Sequence, residues 1–594
     1  MSHYRSNLED LEFNLFEVLR VQDHLDRWSG LDRDTAHDIL REVDRFAREV
    51  WAESFIEADR ARIELVDGAV RLPDRLKAGL AAAHEAGWSR LGLTEELGGM
   101  EVPPTIFWAT QELLLGANPT ATFYGGGGMF ARIIYDEGTE SQRRLAKLMM
   151  ERNWAGTMVL TEPDAGSDVG SGITKAVHIE GDTYHLEGVK RFITGGEHDA
   201  AENIIHLVLA RPEGAAPGTK GLSLFIVPKF LVDANGDPGE RNGVVATNLE
   251  KKMGLKGSTT CELTFGTDRP AVGYLVGGTH DGIRQMFRVI EHARMTIGTK
   301  SAATLSTGYL TALDYAKDRV QGADMTQMTD KTAPRVRIIQ HPDVRRMLMR
   351  QKAYAEGLRA LWMYAAWTQD MAVLEPEGGW ERRSDLLLPL VKGYSSEKAY
   401  ELLALSLQVL GGSGYTQDYP IEQYIRDAKI DSVYEGTTGI QAMDLFFRKI
   451  ARDQGQVLAS LAAEVADFVK GGGDDDPLAE ERELLGRVLD DTQAHLGAMV
   501  EDLMACVAGE SARIYEIGLH ANALLESMAE VVIAWQLLRQ AKIAQPRAAE
   551  SQFHAGKVAA ARFLVRDVAP QVAARRAAAE AEDGALMHLD ESAF

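Results

Sequence analysis

A single carboxylate stands between an aromatic ring and a glycine in the stretch VYEGTTGIQ, residues 433–441. Carboxylates are among the side chains that transfer protons in enzymes, so Glu435 is a candidate for acid–base chemistry. Taken alone, the stretch is more typical of a loop that leads into a helix, with Thr437 or Thr438 as the N-cap. The rest of the chain has to decide between these two interpretations.

A second candidate is the stretch MVLTEPDAGSDVGS, residues 158–171, which begins as a short strand and breaks into small and acidic residues. Backbone N–H groups beside Gly166 and the hydroxyls of Thr161 and Ser167 could hold a phosphate or a carbonyl-rich ring. Loops of this composition are also often plain turns whose side chains bond their own backbone. The stretch indicates a binding loop without identifying its ligand.

A third candidate pairs an aromatic ring with a hydroxyl in GVKRFITGGEHD, residues 188–199. In an extended strand Phe192 and Thr194 point to the same face, because they are two residues apart. Such a pair suits a planar heteroaromatic cofactor, which can pack against the ring and accept a hydrogen bond from the hydroxyl. The alternative role for Phe192 is to fill a hydrophobic core.

The elements that must position these residues change character along the chain. Apolar residues recur every three to four positions in RLKAGLAAAHEAGW, which predicts amphipathic helices, whereas GLSLFIVPKF and its neighbours predict strands separated by turns. Helical spacing then returns, and GGGDDDP, residues 471–477, resembles a linker before a further helical segment. No alternating strand–helix pattern is present, which argues against a doubly wound nucleotide-binding fold.

We therefore predict a mostly α protein with four parts. The predicted domains are an N-terminal helical domain (1–155), a middle β-barrel-like domain (156–275), a helical catalytic domain (276–455) and an additional C-terminal helical domain (456–594).

Composition limits the partners and the compartment. With 64 basic and 88 acidic residues the net charge is −24, so nucleic acid is not expected as a partner, because binding phosphates needs a basic surface. Only two cysteines occur, which fits a reducing compartment and predicts no cysteine-rich metal site. No secretory signal and no uninterrupted apolar run of spanning length is found, so a cytoplasmic protein without membrane insertion is predicted.

Taken together, five segments resemble those of the acyl-CoA dehydrogenases over roughly residues 30–455. They are TEPDAGSD, KRFIT, KMGLKGSTT at 252–260, GGSGYTQDYPIEQYIRDAKI and YEGTTGIQ. Their order is far more specific than any one motif. HPDVRRMLMRQKAYAEGLRA and the helical tail are most similar to the long subfamily with an extra C-terminal domain, which includes broad-range fatty acyl-CoA dehydrogenases and 3-methylthiopropionyl-CoA dehydrogenase.

The resemblance implies an acyl-CoA dehydrogenase fold, an FAD cofactor and Glu435 as the catalytic base. The base removes the α-proton of an acyl-CoA thioester while the β-hydrogen leaves as hydride to the flavin, giving trans-2-enoyl-CoA. The resemblance also implies that the Glu435 N–H stabilises the charge on the thioester oxygen. Gly436 would give the chain room beside the flavin.

Further roles are implied position by position. The FAD-binding residues would be Met158, Leu160, Thr161, Gly166, Ser167, Phe192, Thr194, Arg319, Gln408, Gly412 and Thr437. The substrate-binding residues would be Ser167, Glu291, Arg294, Tyr434 and Gly436.

Four departures from the family pattern concern these roles. Some relatives place the base one residue before the arginine, where this chain has Ala293, so Glu435 is the single candidate. Arg319 is followed by VQGAD in place of the usual aromatic residue. Phe192 stands where many relatives have tryptophan, and Met158 replaces an aromatic residue.

The predicted activity is one step of fatty acid β-oxidation, with electrons passed to electron-transferring flavoprotein. An acyl-CoA oxidase that uses oxygen and a 3-methylthiopropionyl-CoA dehydrogenase are the alternatives. A DNA-associated homologue is a remote one, because the chain from residue 456 onward has 23 acidic and 12 basic residues. In related long enzymes the extra domain replaces the second dimer of a tetramer, which predicts a homodimer.

Overall fold

The structure is a computed structural model that describes residues 2–28, 30–473 and 475–594. The described chain forms two compact units. One contains Leu25–Ala293 with the first few residues, and the other contains Arg5–His24 and Arg294–Phe594. Helix α9 (Gly282–Asp318) includes the boundary between them.

The first unit begins with helices that cover one strand-rich region. Its first helix starts where the Asp32 carboxylate accepts a hydrogen bond from the Thr35 N–H at 2.8 Å, and another starts with a reciprocal cap between Thr139 and Gln142. The helices are α2 (Arg33–Glu49), α3 (Phe55–Arg60), α4 (Asp74–Glu85), α5 (Pro104–Ala117), α6 (Pro119–Tyr124), α7 (Gly127–Glu137) and α8 (Glu140–Glu151).

The strands of this unit form an eight-stranded mixed sheet and two short hairpins. In the large sheet the order is β10-β11-β5-β12-β7-β6-β3, and β4 pairs with β5 and β6. The strands are β1 (Leu65–Val66), β2 (Ala69–Val70), β3 (Ala155–Val159), β4 (Lys175–Glu180), β5 (Thr183–Thr194), β6 (Ile204–Pro212), β7 (Ser223–Pro228), β8 (Phe230–Val232), β9 (Pro238–Arg241), β10 (Val244–Leu249), β11 (Thr260–Phe265) and β12 (Ala271–Leu275).

Apolar side chains from the sheet are buried in two clusters. Strand β6 (IIHLVLARP) is buried along almost its whole length, which explains its continuous apolar sequence. Leu207 joins a cluster with the helices α7 and α8, whereas Val208 joins a cluster among the strands. The alternation of neighbouring residues thus divides one strand between two cores.

The second unit is almost entirely helical. Its helices are α1 (Leu8–Glu12), α10 (Pro342–Leu374), α11 (Trp380–Pro389), α12 (Ser395–Leu410), α13 (Ile421–Lys429), α14 (Thr438–Met443), α15 (Gln456–Lys470), α16 (Ala479–Val507), α17 (Ile514–Ala544) and α18 (Gln552–Glu580). Strands β13 (Val320–Ala323) and β14 (Arg335–Arg337) form a small hairpin that the sequence analysis did not predict.

Three π-helical segments interrupt the regular helices of this unit. They are Phe13–Val18, Leu390–Tyr394 and Asp444–Ala451. The second, which we call the π segment, follows Pro389 and continues directly into α12. Such bulges redirect side chains and often occur at functional sites.

The C-terminal extension packs on the helices that precede it. Helices α16, α17 and α18 lie against one another, and α17 also contacts α10 and the π segment. Trp535 and Leu538 are buried, and the Trp535 ring meets Tyr364 of α10 edge to face at 5.4 Å. The apolar face of α17 is therefore buried within the chain itself.

One stretch of the extension meets the length and composition of a membrane span. It is Ser511–Arg547, and 67% of its most apolar window is buried inside the structure, as in the core helix of a folded domain. The stretch contains charged residues such as Glu526 and Glu530, so it has no uninterrupted apolar run of spanning length. The absence of membrane insertion stays a prediction.

The predicted linker at 471–477 includes Asp474, which lies outside the described residues. After it, Asp476 accepts a hydrogen bond from the Leu478 N–H at 3.0 Å and pairs with Arg482 of α16. These contacts stabilise the first turn of α16.

Candidate active site

Glu435 lies in a tight turn between two helical segments. A turn of 3₁₀-helix (Ile430–Ser432) precedes it, and α14 follows. Glu435 has φ +55° and Gly436 has φ +86°, so two successive residues are left-handed. For a non-glycine residue this conformation is uncommon and strained, and such strain clusters at functional sites.

The turn is held by side chains from the helix that it starts. Thr437 is the N-cap of α14 and accepts a hydrogen bond from the Ile440 N–H at 3.4 Å, as one of the two sequence predictions had it. The Gln441 amide donates to the Glu435 carbonyl oxygen at 3.0 Å and to the Gly436 carbonyl oxygen at 3.3 Å. Within the described residues the Glu435 N–H has no hydrogen-bond acceptor, so it is available to a ligand.

The electrostatic surroundings make Glu435 a base that works near neutral pH. Burial raises the pKa of its carboxyl to about 7, against the opposing positive charges of Lys392 and Arg294. A carboxylate with this pKa is ionised in a large fraction of molecules at pH 7 and still binds a proton well.

Lys392 was missed by the sequence analysis, and nothing in the local pattern indicated it. It lies in the π segment with no exposed surface, and its ammonium donates to the Gly436 carbonyl oxygen at 2.5 Å. Burial lowers the pKa of Lys392 to about 8, opposed by the negative charges of Asp431 and Glu435. A lysine within an apolar helical sequence gives no sign of which distant turn it will contact.

Two buried ion pairs lie around this turn. Arg294 donates to the Asp444 carboxylate at 2.7 Å. Lys300 donates to both oxygens of Asp431 at 2.8 and 2.6 Å, and the Tyr434 hydroxyl donates to the same carboxylate at 2.9 Å. Arg294 is therefore near Glu435, as the resemblance implies, but its guanidinium is also paired with Asp444.

The remaining candidates of the second unit lie on exposed surface. Arg319 follows α9, Gln408 lies in the last turn of α12, and Gly412 lies in the glycine-rich 3₁₀ turn after it. Gly411, which ends α12, has φ +60° and needs to be glycine, whereas a Cβ at Gly412 would meet no atom within 4 Å. The structure brings Tyr434, Glu435, Gly436 and Thr437 together in one turn with Arg294 near it, whereas these three lie on exposed surface outside the turn.

In the first unit the loop 158–171 is held in place by Glu162, which was not a candidate in the sequence analysis. Buried Glu162 forms a 2.9 Å salt bridge with Lys190, and it accepts hydrogen bonds from the backbone N–H groups of Ile173 and Thr174 at 2.7 and 3.1 Å. Lys190 also donates to the Leu160 carbonyl oxygen at 2.8 Å. Gly166 and Ser167 are exposed at the tip of this loop.

Met158, Leu160 and Thr161 lead into the loop. Met158 and Leu160 are partly buried and pack on the cluster shared by β6 and the helices α7 and α8. Thr161 is partly buried, and its carbonyl oxygen accepts a hydrogen bond from the Arg191 N–H at 2.8 Å. The loop is thus attached to β5.

Phe192 and Thr194 lie at the exposed end of β5. Phe192 has φ +62° at an irregularity in the pairing of β5 with β11, so the strand is not regular there. Its ring is 55% exposed, Thr194 is exposed and Ile193 between them is buried. Phe192 does not fill a core, which removes the alternative role. Glu291 lies exposed on α9 within the first unit.

Family models match three successive parts of the chain. They are the acyl-CoA dehydrogenase middle domain over residues 157–267, the acyl-CoA dehydrogenase C-terminal domain over 280–448 and an acetyl-CoA dehydrogenase C-terminal-like domain over 461–590. Each match lies within one of the last three domains predicted from the sequence. The third match corresponds to the additional C-terminal helices.

Characterised relatives match the whole chain. The broad-specificity linear acyl-CoA dehydrogenase FadE5 of Mycobacterium tuberculosis is 54% identical over 100% of both chains. The 3-methylmercaptopropionyl-CoA dehydrogenase of Ruegeria pomeroyi is 34% identical over 93% of this chain and 95% of its own. The crystal structure of an acyl-CoA dehydrogenase with FAD from Bacillus anthracis has the same fold, with TM-score 0.72 and 19% identity over 94% of this chain and 90% of that one.

Proposed function

Because the chain belongs to the acyl-CoA dehydrogenase family, we propose that it oxidises linear acyl-CoA thioesters to trans-2-enoyl-CoAs with Glu435 as the base. Acyl-CoA dehydrogenases are FAD-dependent oxidoreductases, and this chain is one of them. The observation that carries the assignment of the base is the strained turn at Glu435, where the carboxyl has a pKa of about 7 and the backbone N–H is free for a ligand.

The proposed proton transfer uses groups within the turn. An ionised Glu435 removes the α-proton, and the electron pair of that C–H bond forms the new double bond as hydride leaves the β-carbon. Negative charge develops on the thioester oxygen during this step, and the Glu435 N–H can donate to it. Tyr434, whose hydroxyl donates to Asp431, and Gly436 flank the base in the chain, and the resemblance implies that both contact the substrate.

The residues that would hold FAD fit a planar ring system and a phosphate chain. Phe192 exposes an apolar ring, Thr194 exposes a hydroxyl beside it, and Met158 and Leu160 supply apolar surface. Thr161, Gly166 and Ser167 of the same unit offer backbone and hydroxyl donors. The resemblance also implies FAD-binding roles for Arg319, Gln408, Gly412 and Thr437. When bound, FAD supplies the acceptor for the β-hydrogen.

The proposed CoA contacts are those implied by the resemblance. Ser167 would bond the CoA phosphates, Glu291 would lie on the adenine side, and Arg294 would contribute positive charge near the thioester. The 54% identical relative is a broad-specificity linear acyl-CoA dehydrogenase, which supports linear acyl chains of many lengths as substrates. The 34% identical relative favours 3-methylmercaptopropionyl-CoA as the second candidate.

Electron-transferring flavoprotein as acceptor, a place in fatty acid β-oxidation, a homodimer and a cytoplasmic location belong to the same proposal. They follow from the family resemblance, and the two unpaired cysteines fit a reducing compartment. Release of peroxide during turnover in air, without reduction of electron-transferring flavoprotein, would favour the oxidase alternative. Elution at the size of a tetramer would exclude the dimer.

The test is an anaerobic titration of the flavin-bound protein with saturated acyl-CoAs from short to long chains and with 3-methylmercaptopropionyl-CoA. We expect linear acyl-CoAs to bleach the absorption of oxidised flavin in the wild type. Glu435→Gln, whose amide cannot take up the proton, should bind the ligands without bleaching. The matched control Glu422→Gln removes a carboxylate that pairs with Arg426 at 2.7 Å on α13, and it should bleach normally. Absence of bleaching in the wild type would refute the proposed reaction.

A further inference from the structure

We propose that Lys392 is a positioning residue for this reaction, whose buried ammonium holds the Tyr434–Gly436 turn in place and supplies the positive charge that keeps Glu435 ionised. The inference rests on the proposed role of Glu435 as the base. It adds a residue from a separate segment of the chain, and it explains why a lysine is buried there.

The contact between Lys392 and the turn is direct. The Lys392 ammonium donates to the carbonyl oxygen of Gly436 at 2.5 Å, and the Gln441 amide donates to the same oxygen. This carbonyl belongs to the residue after Glu435, so its direction fixes the peptide that follows the base. A charged donor makes a stronger hydrogen bond than a neutral amide does.

The other charged groups around Lys392 and Glu435 have partners of their own. Arg294 is paired with Asp444 and Lys300 is paired with Asp431. Glu397, which also acts on Lys392, accepts a hydrogen bond from the Thr438 hydroxyl at 2.6 Å. Among the described residues neither Lys392 nor Glu435 has a salt-bridge partner of its own. At longer range Lys392 is the larger of the two positive charges that act on Glu435. Asp431 and then Glu435 are the larger negative charges that act on Lys392.

The π segment that carries Lys392 is held on several sides. A Cβ at Gly298 of α9 would lie 2.6 Å from the Val391 carbonyl oxygen, so the two backbones are in close contact. A Cβ at Gly393 would lie 3.1 Å from Leu525 of α17 and 3.2 Å from Gln441. A segment packed so closely has little room to move its side chain.

The direction in which the pKa of Glu435 changes follows from the positive charge of Lys392. Burial raises the pKa of Glu435, and Lys392 is the larger of the two positive charges that oppose this rise. Loss of the ammonium therefore leaves the carboxyl protonated to a higher pH. Asp431, Arg294, Lys300, Tyr434 and Glu397 are the other titratable groups around the pair, and each keeps its own partner in the variant.

The test compares the pH dependence of flavin reduction by an excess of acyl-CoA in wild type, Lys392→Met and Lys392→Arg. For Lys392→Met the rise of the rate with pH should move upward by about one pH unit, which lowers the rate at pH 7 about fivefold and lets it recover at high pH. Lys392→Arg keeps the charge and should keep the wild-type midpoint. Flavin content and thermal unfolding are measured for each protein.

A purely structural role predicts a different result. It would lower the rate of Lys392→Met by the same factor at every pH, and an unchanged midpoint would overturn the inference while leaving the role of Glu435 intact. If the wild type itself is not reduced, the proposed function fails first. Should Lys392→Met lose flavin, Lys392→Gln takes its place, and if that also fails, a shifted midpoint in Lys392→Arg overturns the inference.

Discussion

The hydroxyl of Tyr394 donates a hydrogen bond to the carboxylate of Glu530 at 3.0 Å. Tyr394 is the last residue of the π segment, and Glu530 lies in α17 of the C-terminal extension. Arg575 of α18 binds the same carboxylate at 2.6 and 3.3 Å. The C-terminal extension is thus hydrogen-bonded to the π segment, in which Lys392 lies two residues before Tyr394.

Tyr394→Phe should therefore affect both stability and activity. Without the tyrosine hydroxyl, the buried Glu530 carboxylate has one hydrogen-bond donor fewer, which should lower the free energy of unfolding by about 2 kcal/mol. Because the π segment loses a bond at one end, flavin reduction should also slow. The matched control is Tyr354→Phe, which removes a similar bond at 2.9 Å to Asp567 but lies in α10. Equal slowing in both variants, measured by stopped flow, would show that the position of Tyr394 is of no importance.

Gly436→Ala should slow the reaction much more than it destabilises the chain. A Cβ there would lie 2.7 Å from the Gln441 amide nitrogen, and φ is +86°. The left-handed conformation alone costs about 1–2 kcal/mol for alanine. Displacing Gln441 releases the Glu435 carbonyl, so we expect at least about a tenfold loss of rate, equivalent to about 1.4 kcal/mol in the barrier.

Gly455→Ala is the control for this change. Gly455 has φ +71°, and a Cβ there would meet no atom within 4 Å. It should show a similar loss of stability in denaturant unfolding and a normal rate of flavin reduction. If Gly455→Ala were as slow as Gly436→Ala, backbone strain in general would account for the loss of activity.

The raised pKa of Glu435 predicts that the base destabilises the fold at high pH. The folded protein holds this proton up to about pH 7, whereas the unfolded chain releases it near the ordinary value of 4.5. Stability from this group therefore falls as pH rises from about 4.5 to 7. Glu435→Gln should be more stable than wild type by roughly 3 kcal/mol at pH 8 and by less than about 1 kcal/mol at pH 5. A difference in stability between Glu435→Gln and wild type that does not change with pH, measured by thermal unfolding, would contradict this.

A buried charge network near the N-terminus should be sensitive to loss of one carboxylate. Arg359 of α10 donates to Asp10 at 2.6 Å, and Lys557 of α18 pairs with Asp10 and, at 3.0 Å, with Glu356. Burial opposes ionisation of Asp10, but Lys557 and Arg359 together hold its pKa at about 2. Its contribution to stability is therefore present above about pH 4 and is lost as pH falls toward 2.

Asp10→Asn should reduce the free energy of unfolding by about 3–5 kcal/mol, because two cations then remain buried with one carboxylate between them. The control Asp23→Asn breaks an exposed pair with Arg20 at 2.9 Å and should change little. Urea unfolding at pH 7 measures both. A small effect for Asp10→Asn would mean that water reaches the network.

The sequence by itself determined the order of helical and strand regions and the family, and it predicted Glu435 as the base. Apolar periodicity is a local property, so the helices, the strand β6 and the N-cap at Thr437 could be predicted from neighbouring residues. The motif around Glu435 is likewise continuous in the chain. The hairpin at 320–337 was missed because its strands are short and exposed, and apolar alternation is weak there.

Only the tertiary structure decided what surrounds that base. Lys392 comes 43 positions before Glu435 in the numbering, and Arg294, Asp444 and Glu530 are also distant in sequence, yet all act on one turn or on the segment that contacts it. The left-handed conformation of Glu435 and Phe192 is likewise imposed by packing, because each residue type prefers negative φ. A pKa depends on burial and on charges brought close by folding, and neither can be predicted from the spacing of residues along the chain.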